Sequence, residues 1–472
     1  MVGFSLRDGE PQHTFVCTTQ ACAASLNLSP SSLPAARAFS SISDAPNDLF
    51  NYSSGRWLVN NDLRLAERRR EFDVNELCRR AAQSVGRTSQ DIDTFVKLAE
   101  GGFNRTFLIT MHGGFEMVAR IPYPVTVSKL YAIASEVATM RFLRSSGLPV
   151  PEVYDYSPSS DNVAKTEYIF MELIRGTKLS DVWMELEEPD IVSVLRQPVQ
   201  LESRMMLIPF PAGGSLYYTN DLEKVEGVHT IDENAKAVLV AAALKELAYL
   251  EKFGRPLLPF QRGRREAYGY KGQSPSDHIK NLERYLVIAP SLASKDSALH
   301  HFRSPAEQHH PENRGPARLA TCLDPTQFLF AGVRGCLQNY DDPVSQALTP
   351  PSLPANMDKL DQSEHSHAMG LYHRGLVHFH YVKNTEQYNK LHHDALSDLV
   401  SMFIYRLFNQ AGAPWEGETH ALKTTLIEAM EMWGMLTGEG VPCPVAFEPE
   451  DLRKTKELSA KLQVADENFE GC

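Results

Sequence analysis

Hydrophobic and polar positions first fall into a readable order at residue 94. Phe95-Val-Lys-Leu98, Arg105-Thr-Phe-Leu-Ile109 and Glu116-Met-Val-Ala-Arg-Ile121 are β-branched and aromatic with polar interruptions, the pattern of strands. His112-Gly113-Gly114 supplies a hairpin between the second and third. From Lys129 to Arg144 the period changes: Leu130, Ile133, Ala134, Val137, Met140 and Leu143 recur at helical spacing, and Gly147 and Pro149 end the run. Two further strand-like runs follow, Glu152–Tyr156 and Glu167–Glu172. Three strands, a helix and two strands make a small antiparallel sheet with one packed helix.

Beyond residue 180 the pattern is mainly helical. Asp232–Phe253 is built of strong helix formers and stops at Gly254-Arg-Pro256. Ser276–Ala289, Glu386–Asn409, Glu418–Leu436 and Glu450–Asp466 read as four more helices, with apolar stripes that belong to a core. The fold class expected is therefore α+β, a small sheet lobe followed by a larger helical one. Residues 51–174 form the first lobe and 175–465 the second, with tails at 1–50 and 466–472.

Composition narrows the function classes. A net charge of −12 argues against general nucleic-acid binding, and no apolar window is long enough for a membrane span. The seven cysteines are scattered without a C-x-x-C pair, which fits a reducing compartment and excludes a zinc ribbon. Residues 1–50, rich in Ser, Ala and Pro, read either as a disordered tail or as a mitochondrial presequence, with Arg37 two residues before Phe39-Ser40.

The candidate chemistry lies in the sheet lobe. Gly101-Gly102-Phe103-Asn104-Arg105 joins the first two strands, and paired glycines let backbone amides approach phosphate oxygens. Arg120 is a cation in an otherwise apolar strand and needs a partner. Glu136, at the margin of the helix's apolar stripe, is the carboxylate available, with Arg141 as a competitor for it. A strand cation and a helix carboxylate over a Gly-rich hairpin is how kinases hold nucleotide phosphates; the plainer alternative is a solvated ion pair.

The runs Lys97-Leu-Ala-Glu-Gly-Gly-Phe-Asn-Arg-Thr-Phe107, Val118-Ala-Arg-Ile-Pro-Tyr-Pro124 and Ala134-Ser-Glu-Val-Ala-Thr-Met140 resemble a fungal family in the aminoglycoside-phosphotransferase branch of the kinase-like fold. So do Gly147-Leu-Pro-Val-Pro-Glu-Val153, Tyr168-Ile-Phe-Met-Glu-Leu-Ile-Arg-Gly176 and Phe210-Pro-Ala-Gly-Gly-Ser-Leu-Tyr-Tyr218. The resemblance covers most of residues 40–230 and much of 235–300 and 335–460. It implies that Gly101 to Arg105 cover an ATP molecule and that Arg120 replaces the usual phosphate-binding lysine. Glu136 would be its partner, and Phe170-Met171-Glu172-Leu173 the hinge beside adenine, with Glu172 at the nucleotide. It also implies a magnesium ion, transfer of phosphate to the hydroxyl of an unidentified small molecule, and a mitochondrial location.

The catalytic loop of that family, His-Pro-Asp-Leu with a downstream Asn and a later Asp-Trp, should lie between Pro290 and Leu337-Gln-Asn-Tyr-Asp-Asp342. A polar run rich in His, Pro and Arg stands there instead, without H-x-D-x-x-x-x-N. His310-Pro-Glu-Asn313 carries Glu in place of Asp, and His392-His-Asp394 lies inside an expected helix with no Asn five residues on. His300-His301 and His309-His310 lack the carboxylates a metal site wants. Residues 303–335 therefore read as a shifted frame or misplaced splice junction between conforming flanks, and Val225–Ile231 as a second, shorter departure. The rival reading is a pseudokinase. No catalytic or metal-ligating residue is assigned. Asp341-Asp342 and the His-rich run Tyr372–Tyr381 are candidates to line an acceptor pocket, with surface solvation as the plainer alternative.

Overall fold

In the computed structural model the described residues are 49–470, apart from 58–59, 127–129, 178, 184–185, 209–215, 223–234, 293–330, 335–336, 340–341 and 439. The presequence reading, Asp341, the departure at Val225–Ile231 and most of the run 303–335 lie outside them. The chain divides into two compact units, residues 1–208 with 213–231 and residues 209–212 with 232–472. Position 174/175, the expected lobe boundary, lies within the first unit.

The first unit holds a five-stranded antiparallel sheet in the order β1-β2-β3-β5-β4. Its strands are β1 Ile92–Glu100, β2 Asn104–Met111, β3 Phe115–Pro122, β4 Val153–Ser157 and β5 Tyr168–Glu172. Each expected strand is present: the first three are extended by one to three residues at each end, the fourth is shifted by one and the fifth begins one residue later. Gly113 and Gly114 both have positive φ (81° and 76°), the conformation a tight hairpin between β2 and β3 requires and glycine adopts without strain.

On one face of this sheet Phe95 stacks on Phe107 with centroids 4.8 Å apart, and Phe72 meets both rings edge-on. Leu77, Ala81 and Ala82 of helix α2 (Val74–Ser84) complete that core. Asp73 caps this helix by accepting from the Glu76 amide. Helix α3, Tyr131–Ser145, buries Ile133, Ala134, Val137, Ala138, Met140 and Leu143, the stripe that the sequence period marks. A short helix α1, Asn61–Arg68, precedes α2.

The second unit is helical around Leu239, Leu282, Tyr285, Leu407, Leu422, Leu426 and Trp433. The principal helices are Ala235–Phe253, Pro275–Leu292, Leu399–Gly412, His420–Glu431 and Pro449–Glu470. The α+β class is borne out. One expected helix is corrected: Glu386–Asn409 is not continuous but spans parts of Gln362–Tyr388, Lys390–Ser397 and Leu399–Gly412. The breaks fall at Asn389 and Asp398, whose side chains accept from the amides of His392 and Ser401 and so start new helices. The run Tyr372–Tyr381 lies in the middle of the long helix Gln362–Tyr388, which Asp361 and Glu364 open with a capping box.

Several histidines of this unit are buried and held neutral. His278 is 4% exposed, meets Thr419 Oγ1 at 3.0 Å and lies against Trp415; burial lowers its pKa from 6.5 to about 4. Burial also lowers His378, His392 and His420. Because His278 takes up its proton more readily in the unfolded chain, its contribution is complete above pH 6.5 and disappears as pH falls through about 4. The shift corresponds to roughly 2–4 kcal/mol at full effect. Urea titrations at pH 7 and pH 4.5 should show a loss of stability in the wild type that is smaller in His278→Asn.

Candidate functional site

The glycine-turn candidates occupy one end of the sheet, with Arg120 one pairing step further in, while Glu172 pairs with Met117 towards the other end of β3. Gly101 and Gly102 turn the chain from β1 into β2, and the Gly101 amide closes that turn on the Asn104 carbonyl at 2.9 Å. Neither glycine has a positive φ, and a Cβ on Gly102 would meet no atom within 4 Å. The fold's own sterics therefore do not require glycine at Gly102. Phe103, at the tip, is 71% exposed, while its carbonyl accepts from the Tyr123 amide at 3.0 Å and Thr126 Oγ1 at 2.8 Å. Asn104 pairs with Pro122 at the start of β2.

Arg105 departs from the role the resemblance implies. Its side chain is 1% exposed and turns inward, donating through Nε to Glu100 Oε1 (3.0 Å) and through Nη1 to the Leu49 carbonyl (2.8 Å). The guanidinium lies over the Tyr123 ring at 5.5 Å. A cation so enclosed supports the hairpin from within; its side chain is not presented to a ligand on the surface.

Arg120, between Thr106 of β2 and Ile169 of β5, donates through Nη2 to Glu136 Oε1 of α3. The expected strand–helix pair is formed. Its side chains are 23% and 37% exposed, so the pair is reachable from solvent. Arg141 does not compete for Glu136: it donates to the Val153 carbonyl at 3.1 Å and lies over Tyr156. Glu172 ends β5, but its carboxylate faces the Glu152 amide (3.0 Å) and Arg144 (3.4 Å), which ties the edge of the sheet.

The remaining candidates lie in the second unit. His392 is buried, its Nε2 3.1 Å from the Gly332 carbonyl and its Nδ1 3.4 Å from Tyr381 Oη. It is a packed core histidine in a helix. Gly332, near the end of the compositionally odd run, lies so close to the Tyr405 ring that a side chain there would collide with it. Asp342 is held by Ser345 through its amide (2.9 Å) and hydroxyl (2.8 Å); the same hydroxyl meets Asn339, whose amide meets His378 Nδ1. His378 in the run Tyr372–Tyr381 is thus buried in a local network rather than solvated. Among the described residues no group of three or more His, Cys, Asp or Glu is placed to hold a metal ion.

A hub that the sequence reading missed is Glu100. Its carboxylate accepts from Ser53 N (2.8 Å), Ser53 Oγ (3.0 Å), Ser54 Oγ (2.9 Å) and Arg105, with Lys97 Nζ 3.2 Å away. Burial opposes its ionisation, but the hydrogen bonds from Ser53 and Ser54 and the Lys97 charge outweigh that, and its pKa lies below the ordinary value. The only sequence signal was an acid flanked by Lys97 and Arg105 in a strand pattern.

The chain is similar to fungal proteins, in line with the family resemblance of its motifs; no family model matches it. One is a subtelomeric hrmA-associated cluster protein of Aspergillus fumigatus, 27% identical, with the match covering 75% of this chain and 82% of that one. Others are proteins named altered inheritance of mitochondria protein 9, mitochondrial. The one from Clavispora lusitaniae is 27% identical over 38% of this chain and 35% of its own. The one from Yarrowia lipolytica is 30% identical over 37% of this chain and 33% of its own. Among solved structures, a Ralstonia eutropha protein provisionally assigned as an aminoglycoside phosphotransferase is 14% identical, covering 78% of this chain and 97% of that one with a TM-score of 0.29. No helix among the described residues is long and apolar enough to cross a membrane.

The two arginines should respond differently to truncation. Arg120→Ala breaks a partly exposed pair and should cost less than about 1 kcal/mol. Arg105→Ala leaves the Glu100 carboxylate buried with a donor missing and should cost about 3–5 kcal/mol. Chemical denaturation of both variants checks the order.

Proposed function

We propose that the first unit binds ATP and that the chain is an aminoglycoside-phosphotransferase-like kinase impaired in phosphoryl transfer to its small-molecule hydroxyl. The observation carrying this reading is the Arg120–Glu136 pair, which joins the central strand to the helix beside a glycine hairpin. Arg120, one pairing step from Arg105 at the root of the hairpin, has the planar fork suited to phosphate oxygens. Gly102, where a side chain would meet no protein atom, lets a phosphate approach the turn's backbone closely. Glu172 contributes through the backbone of its strand end, since its carboxylate is committed to Arg144 and the Glu152 amide. ATP would supply the transferable phosphoryl group. Among the described residues no group of three or more His, Cys, Asp or Glu gathers to hold a metal ion, and no step is assigned to magnesium.

The impairment follows from the sequence between Pro290 and Leu337, which holds no H-x-D-x-x-x-x-N for a base and metal ligand. The names of the relatives support a mitochondrial location. A nucleotide-binding pseudokinase that acts through protein partners is the second reading, favoured by the same missing motif. Calorimetry on the full chain should show ATP binding that Arg120→Ala weakens by at least about tenfold, the loss expected for a charge-assisted contact. No ATP binding would overturn the proposal, and magnesium-dependent transfer to a hydroxyl acceptor would overturn the impairment. Genomic DNA under residues 295–340, translated in all frames, should reveal His-Pro-Asp with a later Asp-Trp if the run is a shifted frame; its absence from every frame selects the pseudokinase.

A further inference from the structure

Residues 49–57 have no regular secondary structure, yet they bond repeatedly to the residues that flank the glycine turn. Leu49 gives its carbonyl to buried Arg105, and Asn51 gives its carbonyl to Lys97 Nζ at 3.1 Å. Ser53 and Ser54 donate to Glu100 Oε2. Glu100 and Arg105 bracket the turn at Gly101–Asn104 and pair with each other across it. Both side chains are 1% exposed. On the other side of the turn, Tyr123 takes the Phe103 carbonyl through its amide. Its ring meets Tyr52 at 5.9 Å, and Tyr52 meets Trp57 at 5.1 Å. The Arg68 guanidinium lies over these rings, 4.6 Å from Trp57 and 5.9 Å from Tyr52 and Tyr123. Phe50 anchors the start of the segment against Phe72 at 5.2 Å.

Among these contacts, those of Leu49, Ser53 and Ser54 meet on Glu100 and Arg105, the two roots of one exposed turn. A hairpin tip built of two glycines has many backbone conformations available, and fixing it before a ligand arrives removes part of the ordering cost of binding. We propose that residues 49–57 form a strap that holds the glycine turn in its phosphate-facing geometry, with Glu100 as the positioning residue that couples strap to turn. The proposal rests on the reading of this turn as the nucleotide-covering loop. Glu100 touches no ligand; it acts through Arg105, Ser53 and Ser54.

The test uses the full chain with Glu100→Gln, and Trp57→Ala as a second variant that leaves the buried Glu100–Arg105 pair intact. ATP and adenosine affinities are measured by calorimetry, and hydrogen exchange is followed in peptides covering 49–57, 99–106 and β3. In both variants exchange should rise together in 49–57 and 99–106 while β3 stays protected. ATP affinity should fall about five- to tenfold, part of what one charge-assisted hydrogen bond contributes, with adenosine affinity unchanged. Exchange rising throughout the unit, equal losses for ATP and adenosine, or no change in 99–106 would overturn the strap. If the wild type binds neither ligand, the nucleotide reading fails, and the exchange pattern alone decides the strap.

Discussion

A carboxylate removed from water has to be surrounded by donors, and Glu100 shows how far that requirement reaches. Its side chain is 1% exposed beside the equally buried Arg105. Neither charge is tolerable there alone, and the mutual pair does not satisfy all of their oxygens and protons. The remaining partners come from a segment about fifty residues earlier, through Ser53, Ser54 and the Leu49 carbonyl. One buried ion pair thus recruits an irregular stretch of chain into the sheet unit. With that stretch come Phe50 for the core around Phe72 and Tyr52 and Trp57 for the cluster around Arg68.

The sheet and its helix were legible because their burial is periodic. Phe107, Ile109 and Met111 alternate inward along β2, and α3 buries the six positions its spacing selects. The Arg120–Glu136 pair was legible for a related reason: a cation in an apolar strand demands a partner, and the next helix offered one. The strap was not legible. Asn51, Ser53 and Ser54 act through short polar groups and carbonyls without a period, and nothing in their identity shows that Glu100 lies opposite. The same limit explains Arg105, whose place after two glycines resembles a ligand contact although the strand register turns it inward. The breaks at Asn389 and Asp398 were hidden because a cap residue and a tolerated helix residue share one letter.

The two units differ in how they treat charge. In the first, the ion pairs of Glu100 with Lys97 and Arg105 are buried beside the glycine turn, and the half-buried Arg120–Glu136 pair lies close to it. In the second, the core surrounds histidines held neutral by burial, and Asp342, linked to His378 through Ser345 and Asn339, accepts from the Ser345 amide and hydroxyl.

The bond from Arg105 Nη1 to the Leu49 carbonyl also sets a limit on how far the chain can be shortened without disturbing the sheet. Peptidase trimming of the chain leaves the buried guanidinium its partner only when the new amino terminus falls at or before Leu49. A cut at Phe39-Ser40 lies on the permitted side. A cut a dozen or so residues later would remove an acceptor from a cation that is 1% exposed, and would take Phe50 from one side of the Phe72 ring. Leu49 is thus the point from which the sheet unit needs the chain to be continuous.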